Sequence, residues 1–100
     1  MNTLAVNEKL KSLIQELEFK DVNELIKDSL ITEILYRISN YSEEIEVFEK
    51  KYGKGLKEFQ KEYESNREDF EKYDDLMAWE FAEQGREYWK QKLNDLKGVL

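Results

Sequence analysis

The carboxylates around residue 70 are the side chains with the most evident capacity for chemistry. Asp69, Glu71, Asp74 and Asp75 lie close together in the sequence, and carboxylate oxygens are ligands that Mg²⁺ accepts in proteins. Their spacing does not match a calcium-binding loop, and adjacent carboxylates on a helix point in different directions. The pattern therefore favours a solvated acidic helix face, and we predict no metal site.

The residue types that are missing exclude most catalytic chemistry. The chain contains no His and no Cys, which removes the commonest general base, the commonest zinc ligand and every thiol nucleophile. The tyrosines are numerous, but no nucleotide or catalytic motif accompanies them. We therefore predict that the protein is not an enzyme and has neither catalytic residues nor a cofactor.

The net negative charge of the chain limits the kinds of partner that it can bind. The net charge is −7, which disfavours nucleic acid, because binding there depends on Lys and Arg that neutralise phosphates. The apolar runs are too short to cross a membrane, and the first residues lack the pattern of a signal peptide. These observations favour a cytoplasmic protein whose partner is a basic protein.

Hydrophobic periodicity predicts helices along the whole chain. Apolar residues recur at helical spacing between residues 6 and 18, and Asp21 followed by Glu24 forms a capping-box-like start for a second helix. Gly53 can end that helix in a left-handed conformation. We predict one all-α domain over residues 1–100, a small helical bundle with one long central helix and a C-terminal helical hairpin. The predicted helices span residues 1–20, 22–52, 56–64 and 69–97.

The long helix carries a continuous heptad seam. Its apolar residues alternate at intervals of three and four, namely Ile31, Ile34, Ile38, Tyr41, Ile45, Phe48 and Tyr52. Such a seam must close on another helix. The first half of this helix has a wide face that suits the preceding helix, so the stretch from Ile38 to Tyr52 is left to the C-terminal helices or to a second chain. We predict a homo-oligomer, with a dimer favoured, and the predicted interface residues are Ile38, Tyr41, Ile45, Phe48 and Tyr52.

The last helix has a broad apolar stripe on one side. The stripe consists of large apolar residues and three small ones, namely Met77, Ala78, Phe81, Ala82, Gly85, Tyr88, Trp89, Leu93 and Leu96. A glycine costs about 1 kcal/mol of helix propensity relative to alanine. We therefore expect this stripe to pack inward, with Gly85 permitting a close approach between helices.

Leu76 and Trp79 fall on the other side of that helix, next to an acidic run between residues 62 and 75. Either the short third helix folds back and covers them with Phe59 and Tyr63, or they belong to an aromatic surface rimmed by carboxylates. Such a surface would capture a basic protein, because aromatic residues dominate binding hot spots and opposite charges speed encounter. The predicted partner-binding residues are Phe70, Tyr73, Leu76, Trp79 and Glu80.

Several short motifs follow one another between residues 31 and 96. Lys51-Tyr52-Gly53 ends the long helix, Glu58-Phe59 lies in a short helix, and an acidic loop precedes Asp74-Asp75 and Trp79-Glu80. This arrangement resembles the small all-helical antitoxins of type II toxin–antitoxin pairs. The resemblance implies a module that masks a small basic toxin, often an RNase or a nucleotidyltransferase. It also implies that Tyr52, Phe59, Trp79 and Glu80 are structural or face the toxin.

Two alternative functions fit the same sequence. The first is a self-assembling structural or adaptor protein. The second is a weak DNA-binding regulator, because the first third of the chain resembles the ribbon-helix-helix fold, in which paired strands enter the major groove. In that arrangement Thr3, Ala5 and Asn7 would face the DNA, and none of them is basic.

Overall fold

Four α-helices make up the chain in a computed structural model, which describes residues 8–98. They are α1 (Glu8–Glu16), α2 (Val22–Tyr52), α3 (Leu56–Ser65) and α4 (Phe70–Lys97). No strand occurs within the described residues. The predicted all-α fold, with its long central helix and C-terminal hairpin, is confirmed. The positions predicted to face DNA, Thr3, Ala5 and Asn7, lie outside the described residues.

The chain divides into two compact units, residues 1–33 and residues 34–100. The boundary falls inside α2. The first unit contains α1 and the beginning of α2, and the second unit contains the rest of α2 with α3 and α4. The single domain over residues 1–100 and the dimer stay predictions.

The end of α1 is fixed by backbone hydrogen bonds. Glu18 has a φ of 66°, and its amide donates to the carbonyl of Gln15 at 2.9 Å. The amide of Phe19 donates to the carbonyl of Ile14 at 3.0 Å. These two hydrogen bonds, together with the left-handed conformation of Glu18, form a Schellman motif. Glutamate takes the position here that glycine usually takes.

The start of α2 is fixed by two acidic side chains. Asp21 accepts a hydrogen bond from the backbone amide of Glu24 at 2.8 Å. The Glu24 carboxylate in turn accepts from the amide of Lys20 at 2.6 Å, one residue earlier than in a standard capping box. The sequence signal at Asp21 and Glu24 is therefore confirmed, and local chemistry defines where α2 begins.

The first unit buries very little apolar surface. No residue of α1 is buried, and Leu10, Leu13 and Leu17 are all at least half exposed. An open apolar groove runs between α1 and the start of α2, and its walls are Leu10, Leu13, Ile14, Leu17, Phe19, Val22 and Leu25. The two helices are thus specified by caps and periodicity, without a core of their own.

Two short turns fold the second unit. Gly53 ends α2 with a φ of 66°, a conformation that costs other L residues roughly 1–2 kcal/mol. At the start of α4, Asp69 accepts a hydrogen bond from the backbone amide of Lys72 at 3.1 Å. As a result α3 packs against α4, and side chains from the second half of α2 complete the cluster between them.

An aromatic cluster forms the core of the second unit. Its buried members are Ile45, Phe59, Leu76, Trp79 and Ala82. The Trp79 side chain is 1% exposed, and its ring lies 5.5 Å from that of Phe48 and 5.4 Å from that of Phe59, centroid to centroid. Tyr52 stacks on the same indole at 6.2 Å. Each such ring pair contributes about 0.5–1.5 kcal/mol beyond area burial. Through these contacts Trp79, on α4, packs against both α2 and α3.

The inward face of α4 differs from the predicted one. The stripe through Met77 and Phe81 is exposed, with Phe81 at 65%, whereas Leu76 and Trp79 are buried. The prediction is therefore wrong for Met77, Phe81 and Tyr88, whereas Ala82 of the same stripe is buried and Trp89 is half-buried. Trp79 faces inward because α3 places Phe59 against its indole and α2 places Phe48 there.

Gly85 does permit the close approach that its position predicts. A Cβ atom on this glycine would lie 2.5 Å from Cζ of Tyr41, a distance that real Cβ atoms do not reach. The Tyr41 ring also makes an edge contact with Phe81 at a centroid distance of 6.1 Å. The ring of Tyr41 therefore rests on the backbone of α4 at Gly85.

Replacing Ile45 with Asp tests whether the seam is an internal contact. Ile45 is 2% exposed, so a carboxylate there must be buried without a partner, and we expect the free energy of unfolding to fall by about 5 kcal/mol or more. The control is Val47→Asp, two residues away and 62% exposed, with an expected change of less than about 1 kcal/mol. Urea unfolding followed by tryptophan fluorescence measures both. A folded Ile45→Asp monomer derived from a wild-type dimer would show instead that the seam joins two chains.

The effect of Gly85→Ala on the free energy of unfolding should change sign with the residue at position 41. In the wild type the added methyl displaces the Tyr41 ring, and we expect a net loss of stability of about 1 kcal/mol. In a Tyr41→Ala background the obstacle is gone, and the same change should stabilise by about 1 kcal/mol through helix propensity. Denaturant unfolding of the four proteins in the cycle gives the coupling. Equal effects in both backgrounds would contradict the ring-on-glycine contact.

Candidate protein-binding surface

The residues predicted to bind a partner lie in different environments. Leu76 and Trp79 are core residues, covered by α3 as the first of the two alternatives expected. Phe70, at 85% exposed, and Tyr73 are on the surface. Glu80 is half-buried and accepts a hydrogen bond from Nε2 of Gln60 at 2.9 Å. The five residues therefore do not form one surface in this conformation.

Tyr73 and Glu80 do meet in a cleft between α3 and α4. Its walls are formed by Gln60, Tyr63, Glu64, Arg67, Tyr73, Leu76 and Glu80. The rings of Tyr63 and Tyr73 are 6.1 Å apart, centroid to centroid. The cleft mixes polar and apolar side chains and carries both signs of charge, so it offers hydrogen bonds beside aromatic rings.

The residues predicted to form an oligomer interface are used within the chain. Ile45 is buried, and Tyr41, Phe48 and Tyr52 pack against the same core. Ile38 is half-buried. The sequence had left two possible partners for this part of the seam, the C-terminal helices or a second chain. In this conformation the C-terminal helices cover it.

A wide apolar groove opens between α2 and α4. It has a volume of about 740 Å³, and its walls are Tyr41, Glu44, Val47, Phe48, Met77, Ala78 and Phe81. We call it the α2/α4 groove. Met77 and Phe81 face it because Trp79 turns the opposite side of α4 inward. Exposed apolar surface of this kind marks binding sites on soluble proteins.

Sequence reasoning did not assign this groove. Val47 lies off the heptad seam, and Met77 and Phe81 were expected inside. The signal that could have revealed it was the pair of competing apolar faces on α4. Only one of those faces can point inward, and the other must then be exposed or covered by a partner.

The charge in the wall of the α2/α4 groove is acidic. Glu44 is exposed there and has no ion-pair partner among residues 8–98. The cations near the end of α2 are already engaged, because Lys50 pairs with Glu46 at 2.8 Å. Lys51 pairs with Asp75 at 2.7 Å. An incoming cation would therefore find a carboxylate beside apolar walls.

A polar network closes the end of α2 against α4. Nζ of Lys51 donates to Asp75 at 2.7 Å and to Glu71 at 2.9 Å, and the Tyr52 hydroxyl donates to the same oxygen of Asp75. Burial raises the pKa of Tyr52, and the hydrogen bond to Asp75 raises it further, to about 12. Burial opposes ionisation of Asp75, but the hydrogen bonds from Lys51 and Tyr52 outweigh it and lower the pKa of Asp75.

This network predicts how stability changes at the two ends of the pH scale. The folded state holds the Tyr52 proton more tightly than the unfolded state, so its contribution is complete below pH 10 and is lost as pH rises towards about 12. The Asp75 contribution is complete above its ordinary pKa of 3.8 and is lost as pH falls below it. Tyr52→Phe should cost about 1 kcal/mol at neutral pH and should remove the Tyr52 part of the alkaline loss. The part from Lys51 remains, since hydrogen bonds to Asp75 and Glu71 raise its pKa as well.

The measurement is the free energy of unfolding from pH 3 to pH 12, with tyrosinate absorbance recorded in parallel. Tyr52→Phe should eliminate the component of the absorbance titration that ionises last. Tyr36→Phe removes an exposed phenol outside the network and should retain that component. A late component that survives Tyr52→Phe would contradict the assignment.

Comparison with models of protein families, with curated proteins and with solved structures finds no match for this chain. Within residues 8–98 no group of three or more His, Cys, Asp or Glu side chains is placed to hold a metal ion. None of the described helices is long and apolar enough to span a membrane. Residues 8–98 are thus helical, and α2 and α4 leave an open apolar groove between them with one carboxylate, Glu44, in its wall.

Proposed function

We propose that this chain is a non-enzymatic, antitoxin-like protein-binding module that masks a small basic protein, such as a toxin with RNase or nucleotidyltransferase activity. The observation that carries the proposal is the α2/α4 groove. It combines apolar side chains on two helices with an unpaired carboxylate, Glu44, in a chain of net charge −7.

The shape of the groove favours a helix as its occupant. Two helices bound it, with Val47 from α2 and Met77 and Phe81 from α4 among its walls. An amphipathic helix binds such a surface with anchors spaced at i, i+3 or i+4, and i+7. Phe81 is the largest exposed side chain in the wall, and large aromatic side chains commonly provide a disproportionate share of binding energy.

The charge of the groove favours a basic partner. A Lys or Arg flanking the apolar face of an incoming helix would meet Glu44, and the overall negative potential would speed the encounter. Screening by salt would weaken that attraction. A basic toxin that normally contacts RNA presents the required charge, which is why the antitoxin resemblance and the groove point in the same direction.

The exposed aromatic pair Phe70 and Tyr73 offers a second contact area at the start of α4. It lies beside the carboxylates of Glu71 and Asp74, so it too would attract a basic protein. Leu76 and Trp79 are not part of it, so its two aromatic side chains come from one helix, whereas two helices bound the α2/α4 groove. We therefore assign the main contact to the groove.

Two identical substitutions on one helix separate these surfaces. Phe81→Ser changes the groove, and Phe70→Ser changes the start of α4. Each is measured for affinity to the small basic protein encoded beside this chain, and for relief of its toxicity on co-expression. We expect Phe81→Ser to weaken binding at least 30-fold, a hot-spot loss of about 2 kcal/mol, and Phe70→Ser to weaken it less than about threefold.

Glu44→Gln provides the electrostatic arm of the same experiment. It preserves the shape of the side chain and removes the charge, so the association rate and its dependence on salt should both fall. If Phe70→Ser is the damaging change, the partner uses the start of α4 and the groove assignment is wrong. If no neighbouring basic protein binds or is neutralised, the antitoxin-like function is wrong.

A further inference from the structure

We propose that the α2/α4 groove contains a binding pocket for one arginine side chain of the partner helix, in which Glu44 accepts the guanidinium and the rings of Tyr41 and Phe81 pack beside it. The inference rests on the proposed function, because it names the side chain by which that site recognises a basic protein. It adds a requirement for one placed cation, which a general attraction between opposite charges does not make.

Glu44 lies between two aromatic residues on one side of α2. Tyr41 precedes it by three residues and Phe48 follows it by four, and residues at these spacings are neighbours on a helix surface. All three line the α2/α4 groove, and Glu44 is the one charged residue in its wall. A carboxylate beside apolar side chains attracts a cation more strongly than a carboxylate in open water does. The ligand that this wall favours is therefore positively charged.

The rings of Tyr41 and Phe81 offer a cation a second kind of contact. They form an edge-to-face pair between α2 and α4, with centroids 6.1 Å apart and planes at 69°. Tyr41 rests on Gly85, whereas Phe81 is 65% exposed, so much of its ring is open to a ligand. A cation within about 6 Å of a ring centroid, over the ring face, is attracted by the negative charge of that face.

The cations of the chain itself are used at other rings. Three of them lie over a ring at centroid distances between 5.0 and 5.3 Å, namely Arg37 over Trp89, Lys51 over Tyr52 and Lys92 over Tyr88. Among residues 8–98 no cation lies over Tyr41 or Phe81, and none pairs with Glu44. A carboxylate and two rings are therefore open together to a cation from another protein.

Arginine fits this combination better than lysine does. Its planar guanidinium can stack on Phe81 while two of its N–H groups donate to the two carboxylate oxygens of Glu44. The lysine ammonium is a compact, strongly hydrated charge that makes no such paired contact. The apolar stem of the arginine would lie along Val47 and Met77, which are walls of the same groove. On a partner helix, apolar anchors three or four residues away would then occupy the rest of the groove.

A helical host peptide with one variable position tests the pocket in the full-length chain. The peptide is alanine-rich, and two leucines on one side flank a guest residue that is arginine, lysine or citrulline. Citrulline keeps the shape of arginine and removes its charge. Fluorescence anisotropy of the labelled peptides gives the dissociation constants, and we expect citrulline to bind at least about tenfold more weakly than arginine, with lysine between them. Equal affinities for arginine and citrulline, tighter binding of lysine, or no binding at about 1 mM would each overturn the proposal.

Three substitutions at exposed positions assign the preference to the pocket. Glu44→Gln should reduce the ratio of arginine to citrulline affinity to less than about threefold. Glu43→Gln removes the same charge from an exposed carboxylate outside the groove, and it should preserve the ratio. Phe81→Leu keeps an apolar side chain without a ring, and it should lower the ratio by about threefold. Urea unfolding checks that each variant is folded. If Glu43→Gln lowers the ratio as much as Glu44→Gln does, long-range charge explains the preference and the pocket is wrong.

The dissociation rate of the basic protein encoded beside this chain separates this inference from the proposed function. Loss of a general attraction lowers the association rate, whereas loss of a close, hydrogen-bonded charge pair raises the dissociation rate. We expect Glu44→Gln to raise the dissociation rate at least about tenfold and Glu43→Gln to change it less than about twofold. If Phe81→Ser weakens binding but Glu44→Gln alters the association rate alone, the arginine pocket is wrong and the antitoxin-like function stands. If the peptides behave as expected but no neighbouring basic protein binds, the antitoxin-like function is wrong and the pocket stands.

Discussion

The stacking of Trp79 between aromatic rings of two other helices is the interaction on which the second unit depends. Phe48 and Tyr52 reach the indole from α2, and Phe59 reaches it from α3. The indole N–H is buried and has no hydrogen-bond partner among the described residues, at a cost of about 1–3 kcal/mol. Packing outweighs that cost because three ring contacts and nearly complete burial of the largest side chain act together.

Burial of Trp79 also decides which surface remains for function. A helix has one inward side, so Met77 and Phe81, on another side of α4, become exposed when Trp79 faces the core. The Tyr41 ring resting on Gly85 helps to define one end of the space between α2 and α4. The groove at Val47, Met77 and Phe81 is therefore a consequence of how the core is filled, and a change in the core would alter the groove as well.

Sequence predicted the boundaries of the helices better than their faces. The bounds of α2 and the cap at Asp21 follow from local signals, namely periodicity, a capping residue and Gly53, and all three are where they were expected. The face of α4 depended on what α3 places against it, which is not local. Counting apolar residues favoured the stripe through Met77 and Phe81, whereas the rings that α2 and α3 place against Trp79 decided the outcome. The groove was missed for the same reason.

The two halves of α2 show what hydrophobic periodicity can predict about burial and what it cannot. The heptad seam continues without a break from Ile31 to Tyr52, yet Ile45 is buried while Ile31 and Ile34 are only half-buried. Beside them, Ile26 and Leu30 on the wide face of the first half are exposed. The difference lies in what the chain supplies as cover. The second half has α3 and α4 with their aromatic rings, and the first half has, among the described residues, the nine residues of α1. A heptad seam predicts that a helix is covered by another helix. The amount of apolar surface on the neighbouring helices decides whether the same chain supplies that cover.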